Sequence, residues 1–382
     1  MRISVKWLAP ILATLGLVSG PSFAQSLKIG AVFPISGGQS TYGEESINGI
    51  ELALSDLKEK DPELAAKITV VKEDEKSNPV DAATAVKKLL DVDKVDVVLG
   101  SVASSNTLSM TAAVMERGKV LLTPASTNPE VTKKGDMIFR ACFIDPFQGT
   151  VLANFALNNL GKKKAAILLD HKSDYSKGLA QYFEEAFTKG GGEIVGNESY
   201  EQGKKDFKTQ LTKLRGKKPE VLVVPGYYQE VGLIMKQAKQ MGFDVVMLGG
   251  DGWDSPTLFE LAGADAVTGH YFSSHFSPDD TDPLVQKFVT SYQARFKKAP
   301  GAMSALGYDG LLVLADAFKR AGSNDPKAIQ KALSEVKGFK GVSGTITMNA
   351  QRDAEKDAVI LKTEKTKAVF AAKVGAGNKT GH

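Results

Sequence analysis

Apolar positions along the chain follow two alternating patterns. Short, mainly apolar runs occur at residues 27–35 (LKIGAVFPI), 95–100 (VDVVLG), 120–124 (VLLTP), 164–170 (KAAILLD), 220–225 (EVLVVP) and 245–250 (VVMLGG). Between them lie longer stretches in which apolar residues recur every three or four positions. Residues 43–60, for example, place Ile47, Ile50, Leu54 and Leu57 on one helical face. A second helix over 79–92 opens with Asn78 as N-cap and Pro79 in its first turn. The same rhythm predicts helices over 104–118, 147–160, 176–189, 206–215, 228–242, 283–296, 304–321 and 326–336. Further strands are expected near 68–71, 137–142, 193–200, 268–273, 344–348, 357–362 and 367–372. Strands that are apolar throughout must be covered on both faces, and single helices between them make parallel crossovers. The rhythm restarts near residue 146, so the pattern predicts an α/β protein of two doubly wound parallel-sheet lobes with a cleft between them.

The 382 residues are 42% hydrophobic and 24% charged, which excludes collagen-like, coiled-coil-only or wholly disordered chains. A formal charge of +4 without any dense basic block argues against nucleic acid as a partner. The single cysteine, Cys142, can neither close an internal disulfide nor supply a Cys-rich metal site. Residues 1–24 read as a cleaved secretory signal: Arg2 and Lys6 precede an apolar run from Trp7 to Val18, and Ser22 and Ala24 precede Gln25. No cysteine follows the cleavage point to accept a lipid anchor, so a soluble, exported protein is expected.

Ligands in doubly wound sheets bind at the carboxyl ends of the strands. In the first block those ends carry Ser104 and its neighbours, opening a helix, and Ala125-Ser126-Thr127-Asn128. Ser and Thr at a helix start are capping residues by default, but these hydroxyls and free backbone N–H groups also suit an anion. In the second block the strand ends carry Asp170, Asp174, Tyr175, Tyr227, Asp251 and Trp253, which suit a cation and apolar contacts. One wall for an anion and one for a cation fits a zwitterion such as a free α-amino acid.

The segments IGAVFPISGGQSTYGEESINGIELA, GSVASSNTLSM, LLTPASTNPEVT, DYSKGLA, VVPGYYQEVGLIMKQAKQMG and LGGDGWDSP occur in this order over residues 27–372. With the signal peptide, they resemble the periplasmic branched-chain amino acid (Leu/Ile/Val) binding proteins of ABC importers. The resemblance implies a type I periplasmic-binding fold with a three-crossing hinge. Lobe 1 would comprise 25–145 plus 276–340, lobe 2 would comprise 146–275 plus 341–374, and 375–382 would be a frayed tail. The crossings would lie near 143–147, 273–278 and 338–344. By motif, Ser104, Ala125 and Thr127 would hold the ligand's polar groups. Tyr227 and Asp251 would complete the amino-group site, with Asp251 standing where the family often has Glu. Tyr175 would flank the ligand, and Tyr42, Val102 and Met303 would form the side-chain pocket. Ser126 and Trp253 complete the expected site. The implied partners are a free amino acid and the permease and ATPase subunits of the inner membrane. The expected protein is a periplasmic monomer without cofactor, metal or catalytic residue.

No P-loop, H-E-x-x-H or G-x-S-x-G motif occurs. The alternative on the same fold is an amino-acid or amide sensor, or a secreted hydrolase. A hydrolase needs a nucleophile–base pair in the cleft, and the sequence offers no histidine near the nominated loops except His171.

Overall fold

The computed structural model describes residues 25–375. The signal-peptide reading of 1–24 and the tail from 376 onward lie outside the described residues. The first lobe is built on five parallel strands: β1 (Leu27–Phe33), β2 (Ile68–Asp74), β3 (Val97–Gly100), β4 (Val120–Thr123) and β5 (Ile138–Arg140). They lie in the order β2-β1-β3-β4-β5, with Ile29 of β1 between Val70 and Val97. Strands β3 and β4 are buried along their whole length. That is the physical counterpart of their uninterrupted apolar sequence.

The second sheet comprises β6 (Lys164–Asp170), β7 (Glu193–Tyr200), β8 (Val221–Val223), β9 (Val246–Gly249) and β10 (Tyr271–Ser274). The chain then forms a small antiparallel sheet of β11 (Phe339–Gly341), β12 (Gly344–Met348) and β13 (Ala354–Glu355). It returns to the second sheet as β14 (Ala358–Thr363) and β15 (Ala368–Val374). The order there is β15-β14-β10-β9-β8-β6-β7. Five of these strands are parallel, but β14 runs antiparallel to both β10 and β15. The doubly wound parallel sheet thus carries an antiparallel hairpin at this edge. Only residues 364–367 separate β14 from β15, closed by Glu364 N–H donating to the Lys367 carbonyl at 2.9 Å. So short a link makes a hairpin and cannot make a crossover.

Helices 283–334 follow β10 yet pack on the first lobe. Helix Ala302–Ala321 crosses helix Ser40–Lys60 so closely that a Cβ at Gly49 or Gly307 would collide with the opposing backbone. The chain thus passes between lobes after β5 and again after β10. The third crossing lies later than the expected 338–344. Residues 352 and 353 are tied to the first lobe: Arg140 N–H donates to the Arg352 carbonyl at 3.1 Å, and its guanidinium pairs with Asp353 at 2.6 Å. Residues 341–355 therefore stay with the first lobe, where Asp309 also holds the Val342 and Ser343 N–H groups at 2.8 Å, and the change of lobe falls at Lys356–Asp357. Among the described residues no helix is long and apolar enough to cross a membrane.

Candidate functional site

The two lobes meet over a small cavity lined by Tyr42, Val102, Ser104, Ala125, Thr127, Tyr175, Tyr227, Asp251, Gly252 and Met303. All ten lining residues are buried. Nine of the eleven expected residues meet here, from segments more than 200 positions apart.

On the first-lobe wall, Ser104 is the opening residue of helix Ser104–Glu116, but it does not cap it; the N-cap is Ala103. Its hydroxyl oxygen accepts the Asn128 N–H at 3.2 Å, which leaves its hydrogen to donate into the cavity. The neighbouring loop is pinned from behind. The Thr123 hydroxyl donates to the Ser101 carbonyl at 2.7 Å and accepts the Ser126 N–H at 3.0 Å. Arg140, fully buried, donates to the carbonyls of Ser126 (2.5 Å) and Asn128 (2.8 Å). These bonds fix the loop that brings Ala125 and Thr127 to the cavity, with the Arg140 charge paired to Asp353 behind it. Ser126 faces the other way. Its hydroxyl is 2.7 Å from that of Thr107 and 2.9 Å from the Val102 carbonyl, so it serves the scaffold and does not line the cavity.

On the second-lobe wall, Asp251 opens a short 3₁₀ turn, Asp251–Trp253, directly after β9. Gln148 Nε2 donates to one carboxylate oxygen at 2.8 Å, and His275 Nε2 stands 3.2 Å from the other. A carboxylate only accepts, so the His275 hydrogen sits on Nε2. Burial lowers the His275 pKa against the pull of Asp251, so the ring is neutral at pH 7. The ring stacks on Phe143 with centroids 3.7 Å apart. Phe143 lies on the first crossing and His275 on the second, so both connections brace the acidic residue.

Tyr175 and Tyr227 stack at 5.2 Å, and Tyr42 meets Tyr227 edge-on at 6.2 Å. Burial pushes all three phenols well above their usual range, so they remain neutral donors. The Tyr42 hydroxyl donates to the Gly252 carbonyl across the seam. The Tyr175 hydroxyl oxygen accepts the Gly252 N–H at 3.2 Å. A Cβ at residue 252 would stand 2.6 Å from the Gly226 carbonyl oxygen, so only glycine fits the turn. Trp253 is buried behind it: its Nε1 donates to the Val224 carbonyl at 2.9 Å and its ring packs near Phe272. It belongs to the lobe core and not to the cavity wall.

Sequence reasoning missed Gly252, Gln148, His275 and Arg140. His275, and not His171, is the histidine at the acidic wall. Its Nδ1 has no hydrogen-bond partner, so no nucleophile is paired with it. His270, which precedes β10, accepts the Met247 N–H at 3.1 Å through Nδ1. Cys142 is buried, with its thiol pushed up to about 12 by burial. Among the described residues no group of three or more His, Cys, Asp or Glu could hold a metal ion.

Within this cavity Asp251 is the one carboxylate, and no basic side chain lines it. The opposite wall presents hydroxyls and backbone groups with Arg140 behind them. Such an enclosure suits a small molecule with a cationic group toward Asp251 and an anionic group toward the hydroxyls, with Val102 and Met303 against its apolar part.

The family model described as "periplasmic binding protein" matches residues 26–367. The chain is 30% identical over 365 residues to the Leu/Ile/Val-binding protein BraC3 of Rhizobium johnstonii, covering 94% of this chain and 98% of that one. Among solved structures it is similar to a leucine binding protein LivK from Thermotoga maritima. That match has 37% identity, a TM-score of 0.88, and covers 92% and 99% of the two chains. It is also similar to the branched-chain amino acid transporter substrate binding protein LivJ from Streptococcus pneumoniae, solved in complex with isoleucine. There the identity is 33%, the TM-score 0.86, and the coverage 92% and 99%. A solute binding protein of an ABC transporter from Rhodopseudomonas palustris, in complex with 3,4-dihydroxybenzoic acid, matches at 26% identity and a TM-score of 0.82, covering 92% and 98%. The lobes, the crossings and the match over nearly the whole chain lead to one conclusion: this chain belongs to the periplasmic binding protein family, with the type I fold of ABC-transporter solute-binding proteins.

Proposed function

We propose that this protein binds a free branched-chain amino acid between its lobes and delivers it to the permease and ATPase subunits of an ABC importer. The observation that carries this reading is Asp251. It is a buried carboxylate braced by Gln148 and His275 in a cavity without any basic lining residue. A charge so placed calls for a cationic group on the ligand. Ser104 and Thr127 would take the ligand carboxylate, with Arg140 reinforcing the loop from behind. Val102, Met303 and Tyr42 would enclose an aliphatic side chain.

The same observation separates this reading from an aromatic acid, the ligand class of the Rhodopseudomonas relative. Benzoates carry no ammonium, and one seated here would bring its electron-rich body against Asp251. We read the protein as a receptor and not an enzyme because the Asp251–His275 pair has no nucleophile on the free ring nitrogen. The signal-like pattern of residues 1–24 supports export to the periplasm. Calorimetric titration with leucine, isoleucine, valine and 3,4-dihydroxybenzoate tests the assignment. Saturable binding of the aliphatic amino acids alone is expected, and binding of the benzoate in their place would overturn it.

A further inference from the structure

A second pocket of about 350 Å³ opens along the seam between the lobes and shares no lining residue with the ligand cavity. That volume lies within the range of small-molecule sites. Its apolar walls include Phe259 and Phe272 of the second lobe, Val289 of the first, and Phe276 on the second crossing. Its floor is acidic. Glu45, on helix Ser40–Lys60, is 7% exposed, and its Oε2 has no hydrogen-bond partner. Asp254 approaches from the second lobe, held by the Ser274 hydroxyl at 2.5 Å. The two carboxyls converge: a Cβ built on Gly301 would lie 2.9 Å from Glu45 Oε2 and 3.3 Å from Asp254 Oδ1.

No ion pair among the described residues involves Glu45 or Asp254. Lys298, whose charge reaches Glu45, is spent on Glu44 at 2.7 Å, and Lys367, also at the pocket, is exposed. Burial pushes both acids up, Asp254 to about 6 and Glu45 well above its usual range. Two buried acids with no base between them create a demand for positive charge. A metal ion does not meet it, because two carboxyls among phenylalanines give too few oxygen ligands. An ammonium group needs only two or three acceptors, and an apolar body would extend along the aromatic wall, where cation–π attraction adds to burial.

We propose that this seam pocket is a second ligand site, which takes a primary amine with an apolar body. The ammonium lies between Glu45 and Asp254 and the body along Phe259, Phe272 and Phe276. Because the two acids come from different lobes, an occupant bridges them and favours the closed form.

The test is an NMR titration of the full chain with 2-phenylethylamine, using neutral 2-phenylethanol as control. Saturable shifts are expected at Phe259, Phe272 and Val289, with the alcohol at least tenfold weaker. Glu45→Gln is expected to weaken the amine at least tenfold, and Asp254→Asn to do the same should the first variant fold poorly. Shifts confined to Tyr175 and Tyr227 would place the amine in the other cavity and overturn the proposal. Equal binding of amine and alcohol, or an affinity untouched by either substitution, would overturn it as well.

Discussion

Replacing Asp251 with alanine tests the proposed chemistry most directly. In the closed protein the carboxylate is 4% exposed and both oxygens are engaged, by Gln148 at 2.8 Å and His275 at 3.2 Å. A ligand ammonium would be its third partner. Removing one member of a buried charge pair costs about 3–5 kcal/mol, because the remaining charge is left without compensation in a medium that solvates it poorly. At about 1.4 kcal/mol per decade, the loss is roughly 10²- to 10³-fold or more, which takes a micromolar binder to the millimolar range. The fold should survive, because Gln148 and His275 are neutral and removal strands no charge in the empty protein. Asp251→Asn refines the test. It keeps the size and one acceptor but removes the charge, so it should lose less, about 1.5–3 kcal/mol. Calorimetric titration of the three proteins, with thermal melts as the control for folding, reads both effects. Titration curves for Asp251→Ala that match the wild type would refute the ammonium site, whatever the melting temperatures do.

Ser104→Ala should weaken binding by about 1–3 kcal/mol in the same titration, the range for a hydrogen bond to a charged group. Ser126→Ala should lower the melting temperature and leave affinity alone, since its hydroxyl serves Thr107 and the Val102 carbonyl. Arg140→Met should destabilise the first lobe by about 3–5 kcal/mol in denaturant melts by stranding Asp353. Glu75 is buried on the Ser101 hydroxyl and Asn106 amide, and burial pushes its pKa up to about 8. The folded protein therefore holds a proton that the unfolded chain releases near pH 4.5, so stability falls as pH rises from about 4.5 to 8. Glu75→Gln should flatten that part of the stability–pH curve, and a variant curve parallel to the wild type would count against the buried proton.

The strands were legible because burial on both faces demands an uninterrupted apolar run, and β3, β4 and β6 provide it. Asp251, Ser104 and Thr127 were legible as polar residues at the ends of such runs, where the chain leaves the sheet. What the sequence hides is what tertiary approach creates. His275 reaches Asp251 from the second crossing and Gln148 from helix Asp145–Asn154, and nothing local to either residue marks it. Gly252 contributes backbone groups, which leave no side-chain signature. Arg140 did carry a signal: a charge inside the apolar strand MIFRAC must find a buried partner. That partner, Asp353, lies 213 positions away, and the link explains why the third crossing falls after β13. Ser126 and Trp253 misled because a strand-end position specifies location but not the direction a side chain turns.

The seam indicates where the energy of closure has to come from. Across it, the Ser105 and Asp174 side chains meet at 3.0 Å, Asn128 Nδ2 donates to the Asp174 carbonyl at 2.7 Å, and the Thr41 and Thr257 hydroxyls stand 3.1 Å apart. Each exchanges a bond to water for a bond to protein, at a net gain of about 0.5–1.5 kcal/mol. Set against these are Asp251 on the cavity wall and Asp145 outside it, two carboxyls withdrawn from water and close enough to repel each other. Burial pushes Asp145 well above its usual range. The latches thus define the closed geometry without securing it. On the proposed reading, the ligand ammonium neutralises the acidic wall while its carboxylate takes up the hydroxyls of Ser104 and Thr127. Neither gain is available to a lobe alone. That difference in affinity between open and closed forms is the one quantity able to shift the population. It makes the closed surface a report that the cleft is filled.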